Sequence, residues 1–441
     1  MIFAKQEVRV VDSTHILPRH LSAELEDALS YSRVVNVVGA RQVGKTTLVR
    51  DILQAGRFIS LDDDAVLEAM EADPWGQLQR LTEQTKGSPL IIDEAQRSKR
   101  LPLAIKRVVD LSNRPGQFVL TGSSNVFTTQ HVADSLAGRM VSLTLWPLTM
   151  AETLRRSPSQ FLDWSVSRTL DIADLSEPEP ATREDYIDYI LRGGLPEVRS
   201  LEGRRRQLTY RQYVNSIVER DVADILRIRK SDALGRLINL LAIRTGTELN
   251  IEELCKLVRV QRPTLEQYLD LLTRLSLVIK LGAWSSGEAG REIRNAKHHF
   301  ADTGIAAALR ELTLPSFDPD ANPSALGGLL ESFVFSELLR SSPYQSNSFR
   351  FYHWRDRRGR EIDILAESGT ALCAVEVKAS TSVSHQDFKH LRWFATEGPG
   401  RSRQVSSFVL YLGEHKLSFA DRMFALPVSC LWGRHKNSNN N

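Results

Sequence analysis

The fold is decided by a short stretch, residues 34–47, which reads Val-Val-Asn-Val-Val-Gly-Ala-Arg-Gln-Val-Gly-Lys-Thr-Thr. Its first five residues form an apolar run typical of a buried parallel strand. The next eight fit the pattern G-x-x-x-x-G-K-[ST], where a strand ends and a helix begins. Such a loop wraps its amides around phosphates, while the lysine neutralises the terminal phosphates and the threonine ligates magnesium. The residues predicted to hold ATP and Mg²⁺ are Gly39, Ala40, Arg41, Gln42, Val43, Gly44, Lys45, Thr46 and Thr47.

A second apolar run, residues 89–92, ends in the carboxylates of Asp93 and Glu94. We expect Asp93 to share the magnesium with Thr46, and Glu94 to orient and deprotonate an attacking water. Two carboxylates at the tip of a buried strand are costly without a balancing cation, so a purely structural role explains them poorly. The two stretches together predict ATP hydrolysis.

Two further residues are candidates for catalysis at this site. Ser123 or Ser124, which follow the next strand, is a candidate γ-phosphate sensor, although a helix N-cap is nearly as good an explanation. Arg139 precedes the fifth strand, and two interpretations of it stay open. It is either an arginine finger acting in cis or across a subunit interface, or a member of an ordinary surface ion pair.

The first 150 residues are predicted to form one α/β domain with a parallel sheet. Short apolar runs alternate with amphipathic helical patterns such as 45–54 and 101–111, as in a parallel sheet covered by helices. The predicted strands are 34–38, 58–61, 90–93, 118–121 and 140–145.

The remaining chain is predicted to contain three further domains and a tail. A proline- and acid-rich stretch, 174–180, interrupts a helical lid or connector over residues 151–230. Residues 231–298 show three helical patterns followed by a strand, an order that suggests a winged helix. Residues 299–435 have a mixed α/β pattern, and the polar tail 436–441 is expected to be disordered.

The bulk composition narrows the class of protein. Of 441 residues 42% are hydrophobic, and the net charge is +3, too small to indicate a nucleic-acid partner by itself. The three cysteines, Cys255, Cys373 and Cys430, lack metal-ligand spacing. Because no long apolar segment or secretory signal is present, we expect a cytoplasmic protein without a membrane partner.

The chain resembles a known family, the AAA-superfamily ATPases of bacteria and archaea that carry a C-terminal domain of unknown function. The resemblance implies an AAA-type fold, binding of ATP and magnesium, and a winged-helix segment. Besides residues 39–47, the blocks that carry it are 92–96 (Ile-Asp-Glu-Ala-Gln), 120–124, 136–139, 146–148, 193–197, 219–221 and 302–304.

A second group of charged residues lies in the C-terminal region. Glu331 is on a predicted helix, Asp363 is on a predicted strand, and Glu376 and Lys378 share one face of the next strand because side chains alternate. This order resembles the core of PD-(D/E)XK nucleases, in which carboxylates hold magnesium and the lysine positions the attacking water. Three interpretations remain open: an active nuclease, a nuclease-like scaffold that binds nucleic acid or protein without cutting, and a surface hairpin with an ion pair.

Two functional hypotheses follow. In the first, ATP binding and hydrolysis are coupled to a winged-helix and nuclease-like C-terminal region that binds or acts on DNA. In the second, the chain is a regulatory ATPase whose C-terminal region is a protein-interaction platform without nuclease activity. The predicted recognition helix and the residue that precedes it carry side chains that suit a DNA major groove and equally suit a solvated helix face, namely Gln261, Arg262, Thr264, Gln267 and Arg274.

Overall fold

A computed structural model describes residues 16–52, 56–85, 87–122, 136–221, 231–286, 295–320 and 324–433. The chain divides into two compact units, of which the first comprises the chain up to Pro147 together with Arg274–Ser276. Its sheet has the strand order β2-β3-β4-β1-β5, and every pairing is parallel. The strands are β1 Val34–Val38, β2 Arg57–Ser60, β3 Leu90–Asp93, β4 Phe118–Gly122 and β5 Met140–Thr144. This is the parallel α/β sheet that the sequence predicts.

Helices cover this sheet with their apolar faces. Strands β1, β3 and β4 are buried along their whole length, as apolar runs in a covered parallel sheet should be. Asp63 and Asp73 cap two of the helices. The helices are α1 Leu21–Tyr31, α2 Lys45–Thr47 (continued as a π-helix, Leu48–Ile52), α3 Asp64–Ala72, α4 Pro74–Gln84 and α5 Leu101–Leu111.

The second unit begins with short helices and a buried polar junction. The Asp302 carboxylate accepts hydrogen bonds from Gly194 N at 2.6 Å and Gly304 N at 2.8 Å. A Cβ at Gly193 would lie 2.0 Å from Asp302 Oδ1, so the backbone needs glycine there. The sequence blocks 193–197 and 302–304 therefore meet in space. The helices are α6 Met150–Thr153, α7 Phe161–Ser165, α8 Arg183–Arg192, α9 Pro196–Arg199, α10 Gly203–Ser216, α11 Ser231–Ile243, α12 Ile251–Val258, α13 Arg262–Arg274, α14 Thr303–Leu309, α15 Gly327–Ser341 and α16 Lys389–Thr396.

The segment that contains helices α11, α12 and α13 also forms a small antiparallel sheet with the order β6-β8-β7, whose first strand lies between α11 and α12 in the chain. Its strands are β6 Thr247–Glu248, β7 Val278–Leu281 and β8 Lys297–Phe300. The turn between α12 and α13 contains Arg259 in the left-handed conformation, with φ of 62°. The helices and the strand β7 lie where the sequence predicts them, and β6 and β8 complete the sheet.

The largest sheet is mixed, with the order β13-β14-β12-β11-β10-β9. Strands β9 to β11 are antiparallel to one another, whereas β11, β12 and β14 are parallel. Aromatic side chains of Trp284, Trp354 and Phe394 fill its core. The strands are β9 Arg350–Arg355, β10 Glu361–Ser368, β11 Ala371–Lys378, β12 Gln404–Tyr411, β13 Leu417–Ala420 and β14 Met423–Pro427.

The expected domain boundary between residues 298 and 299 falls inside strand β8. Moreover, Trp284 N donates to His353 O on β9 at 2.7 Å, and the Trp284 side chain is buried in the core of the large sheet. Residues 231–298 and the C-terminal segment thus share one core, so the predicted boundary does not separate two domains. Within the described ranges, no helix is long and apolar enough to cross a bilayer.

Candidate functional site

The loop between β1 and α2 holds Lys45 in a buried position at the carboxyl edge of the parallel sheet. Lys45 is 6% exposed, and its Nζ donates to the carbonyl oxygens of Gly39 at 3.0 Å and Ala40 at 2.8 Å. Gly44, which precedes the helix, has φ of 96°, a conformation that glycine adopts without strain. The chain therefore curls around its own lysine in a loop lined with backbone groups.

Asp93 ends β3 beside this loop, and its carboxylate contacts two hydroxyl groups. Thr46 Oγ1 lies 3.2 and 3.1 Å from the two Asp93 oxygens, and Thr121 Oγ1 at the end of β4 donates to Asp93 Oδ1. The structure thus brings together Thr46 and Asp93, the two predicted magnesium ligands of the loop. Thr121 belongs to this site as well, and sequence reasoning did not single it out, although its place at the end of the strand beside β3 was the available signal.

Glu94 follows Asp93 with a left-handed backbone, φ of 54°, which is uncommon for a residue other than glycine. Its Oε2 accepts a hydrogen bond from the Gln96 side chain, and Thr121 Oγ1 accepts from its amide at 3.3 Å. Burial raises the pKa of Glu94 above 4.5, while the Gln96 hydrogen bond and the Lys45 charge oppose the shift. The carboxyl is thereby held in a defined position close to the loop lysine.

Arg19 supports the loop from behind and was not anticipated from sequence. One guanidinium nitrogen donates to Val43 O at 2.6 Å and the other to Trp146 O at 2.6 Å. Close packing continues at Gly39, where a Cβ would lie 2.2 Å from Leu145 O. The loop is therefore clamped between the residues before α1 and the residues after β5.

Two catalytic candidates remain, Ser123 and Arg139. Ser123 lies outside the described residues. Arg139 donates from Nε to Asp110 Oδ1 at 2.5 Å and is 29% exposed. It precedes β5 at the amino edge of the sheet, about 16 Å of strand away from the carboxyl edge where the loop leaves β1. The interpretation of Arg139 as a finger acting in cis is corrected, because the parallel sheet separates it from the loop of its own chain.

The C-terminal carboxylates form a second polar cluster, within the second unit. Lys297 Nζ lies 2.8 Å from Glu331 Oε1 and 3.3 Å from Asp363 Oδ1, and all three side chains are buried. Lys378 Nζ donates to Glu376 Oε1 at 2.9 Å on the same strand. Continuing the β10–β11 register places Asp363 opposite Glu376, on one face of the sheet. The predicted residues therefore converge, joined by a lysine that sequence reasoning missed.

This cluster does not fit a metal ion as it stands. Asp363 uses Oδ1 for Lys297 and Oδ2 for the amide of Val377, at 2.9 Å. Among the residues that the structure describes, no three His, Cys, Asp or Glu side chains are grouped so as to hold a metal. Burial, reinforced by Asp363 and opposed by Lys378, raises the pKa of Glu376 to about 8. The assignment of Glu331, Asp363 and Glu376 as metal ligands is corrected for this arrangement.

Comparison with protein families agrees with this geometry. The AAA domain family matches residues 31–154, the range that contains the loop, Asp93 and Glu94. The N-terminal unit has a P-loop ATPase fold. Two families of unknown function match later parts of the chain, DUF8612 at residues 183–316 and DUF4143 at residues 326–431.

Relatives of the full chain are similar in length. An uncharacterized protein of Mycobacterium tuberculosis is 26% identical over 425 residues, which cover 93% of this chain and 83% of the relative. An uncharacterized protein of Methanocaldococcus jannaschii is 23% identical over 358 residues, which cover 78% of this chain and 74% of the relative. Among solved structures, a Walker-type ATPase of Pyrococcus abyssi aligns with 67% of this chain and 96% of its own, at 16% identity and a TM-score of 0.41.

Proposed function

We propose that this protein is a magnesium-dependent ATPase, located in the cytoplasm, that couples its nucleotide state to a DNA-binding C-terminal region. The observation that carries the ATPase proposal is the contact of Thr46 with Asp93 beside the buried Lys45. A hydroxyl and a carboxylate at a phosphate-binding loop are the donor set that Mg²⁺ takes in P-loop enzymes.

The residues of the loop have separate tasks in this proposal. The backbone amides of residues 39–47 and the Lys45 ammonium would hold the phosphates, and Thr46 and Asp93 would hold Mg²⁺, which neutralises charge on the phosphates. Glu94 would position a water and accept its proton. Arg19 keeps the loop closed through Val43 O, and Thr121 orients the Asp93 carboxylate.

The DNA part of the proposal is supported by the element order around α13. The elements follow one another as a helix, a short strand, two helices and two further strands, and the strands form a sheet with the order β6-β8-β7. This order supports the proposed winged helix. Helices α12 and α13 are joined by a three-residue turn, as in helix-turn-helix motifs. Gln261, Arg262, Gln267 and Arg274 are exposed, and Thr264 is half-buried.

One observation favours the alternative, a protein-interaction platform. Arg262 Nε donates to Glu266 Oε1 at 2.8 Å, and Glu266 and Asp270 are also exposed on α13. Carboxylates on a recognition helix repel phosphates, so the exposed face of α13 has a mixed character that suits a protein partner as well. The DNA-binding hypothesis and the protein-platform hypothesis predict different dependences of binding affinity on salt concentration.

The test is a titration of labelled duplex and single-stranded DNA at several salt concentrations, with and without ATP, together with plasmid cleavage in Mg²⁺. A DNA partner predicts that log affinity falls linearly with log salt, with a slope of about −0.9 per phosphate contact on duplex DNA. Arg262→Ala and Gln267→Ala should weaken binding, whereas Arg168→Ala, an exposed arginine in another segment, serves as the control. Absence of binding at low salt would leave the interaction platform as the function.

Arg139→Ala is expected to leave ATP affinity, turnover per chain and thermal stability nearly unchanged. Its partner Asp110 is at the surface, and exposed ion pairs contribute little to stability. Turnover should be measured over a wide range of protein concentrations. A deficit that appears only as the concentration rises would assign Arg139 to the nucleotide site of a neighbouring copy.

A further inference from the structure

Lys297 occupies the centre of the C-terminal carboxylate cluster although it belongs to the sheet that follows α13. It is the first residue of β8, whereas Glu331 is on α15 and Asp363 is on β10. Its side chain is 7% exposed, and those of Glu331 and Asp363 are 12% and 11% exposed. One ammonium therefore joins three elements in a region with little water.

The backbone around Lys297 is fixed by further contacts of β8 with the helix that carries Glu331. His299, two residues along β8, has Nδ1 3.0 Å from Ser332 Oγ on α15, and Thr245 Oγ1 lies 2.9 Å from the same oxygen. The turn before β6 touches the start of α15 so closely that a Cβ at Gly328 would lie 2.4 Å from Thr245 O. Because β8 is held against α15 in this way, Lys297 and Glu331 are brought together by packing of the main chain.

We infer that Lys297 is the resident cation of the C-terminal carboxylate site, so that this site binds no divalent metal ion in the folded protein. This inference rests on the proposed function and deepens its C-terminal part: the carboxylates that resemble those of a nuclease are neutralised by an ammonium from β8. The C-terminal region therefore engages its partner without metal-dependent cleavage.

Charge and ligand geometry support this inference. A divalent cation needs several free oxygens, but Lys297 and the Val377 amide already use both oxygens of Asp363. Lys378 uses Oε1 of Glu376, and among the residues that the structure describes none donates a hydrogen bond to the buried Oε2 of Glu376. Metal and ammonium would compete for the same carboxylates, and placing both in one buried site would leave two cations in close repulsion.

The experiment measures Mn²⁺ binding to the full-length, nucleotide-free protein by isothermal titration and by thermal shift. Lys297→Met removes the ammonium and keeps the volume of the side chain. Lys280→Met is the matched control, since Lys280 is exposed on β7, the strand paired with β8. Asp363→Asn, alone and combined with Lys297→Met, reports whether any bound Mn²⁺ uses this site, because binding at the P-loop is common to all variants and cancels.

Wild type and Lys280→Met are expected to show no Mn²⁺ binding that depends on Asp363. Lys297→Met should gain one such site, and Mn²⁺ should raise its Tm by at least ~2 °C, since a ligand that binds only the folded state stabilises it. Mn²⁺ binding to wild type that Asp363→Asn abolishes would overturn the inference, and so would a folded Lys297→Met that gains no site.

Two further comparisons keep the result interpretable. If Lys297→Met does not fold, the wild type and Asp363→Asn titrations decide the question without it. ATP turnover measured on the same samples separates this inference from the proposed ATPase function. Normal turnover together with wild-type Mn²⁺ binding that Asp363→Asn abolishes refutes the inference alone. Absent turnover without such Asp363-dependent binding refutes the ATPase proposal alone.

Discussion

Replacing Lys45 with alanine is expected to abolish measurable ATP binding. Lys45 is the loop cation that is buried at the carboxyl edge of the sheet, and in the loop its ammonium is held by the Gly39 and Ala40 carbonyls, ready to exchange them for phosphate oxygens. A loop without it keeps its amides but leaves the charge of the terminal phosphates without a nearby ammonium. Binding is measured by titration with a fluorescent ATP analogue in Mg²⁺.

The control is Lys99→Ala, which removes the same charge from an exposed lysine in the same unit. It should bind ATP as the wild type does, and both variants should show the circular dichroism of the wild type. If a folded Lys45→Ala retained normal affinity, the nucleotide site would have to lie elsewhere.

Replacing Glu94 with glutamine is expected to keep ATP binding and to lower turnover by about 10²- to 10⁴-fold, the contribution of a positioned general base. The amide keeps the shape of the side chain and can still accept a hydrogen bond from Gln96, but it cannot take a proton from water. Turnover is measured as phosphate release, and Glu83→Gln, an exposed residue of the same unit, is the control. Equal turnover of Glu94→Gln and wild type would place the base at another residue.

The same residue predicts a pH dependence. Because burial raises the pKa of Glu94 above 4.5, its carboxylate is protonated at pH values where an exposed glutamate is ionised. A base must be ionised, so wild-type turnover should fall on acidification at a pH above 4.5. The residual turnover of Glu94→Gln should lack this acidic limb, and a limb shared by both proteins would belong to a different group.

The nucleotide site was predictable because its chemistry is local in the chain. The loop spacing places Lys45 and Thr46 directly after an apolar strand, and the apolar run before Asp93 places a carboxylate at the end of a neighbouring one. Carboxyl ends of parallel strands meet at one edge of a sheet, so the meeting of Thr46 with Asp93 follows from the pattern. The same edge rule could have identified Thr121, the penultimate residue of β4.

Arg139 shows where local pattern was insufficient. Arg139 precedes a strand. Because that strand is parallel to β1, its first residues lie at the amino edge of the sheet, and Arg139 lies there too. The sequence around a single arginine does not by itself show at which edge of the sheet the arginine lies. The ion pair with Asp110 joins two residues 29 positions apart in the chain, and sequence spacing does not encode which distant residues meet.

The sequence by itself determined the α/β class of the first unit, the phosphate-binding loop with Asp93 and Glu94, and the pairing of Glu376 with Lys378 on one strand. These features depend on alternation and on contiguous motifs. Only the tertiary structure decided that Lys297 lies between Glu331 and Asp363, and that the segments before and after residue 298 share one core. The physical reason is that a buried charge is neutralised by whichever opposite charge the packing brings near, and that neighbour can be 34 or 66 residues away in the chain.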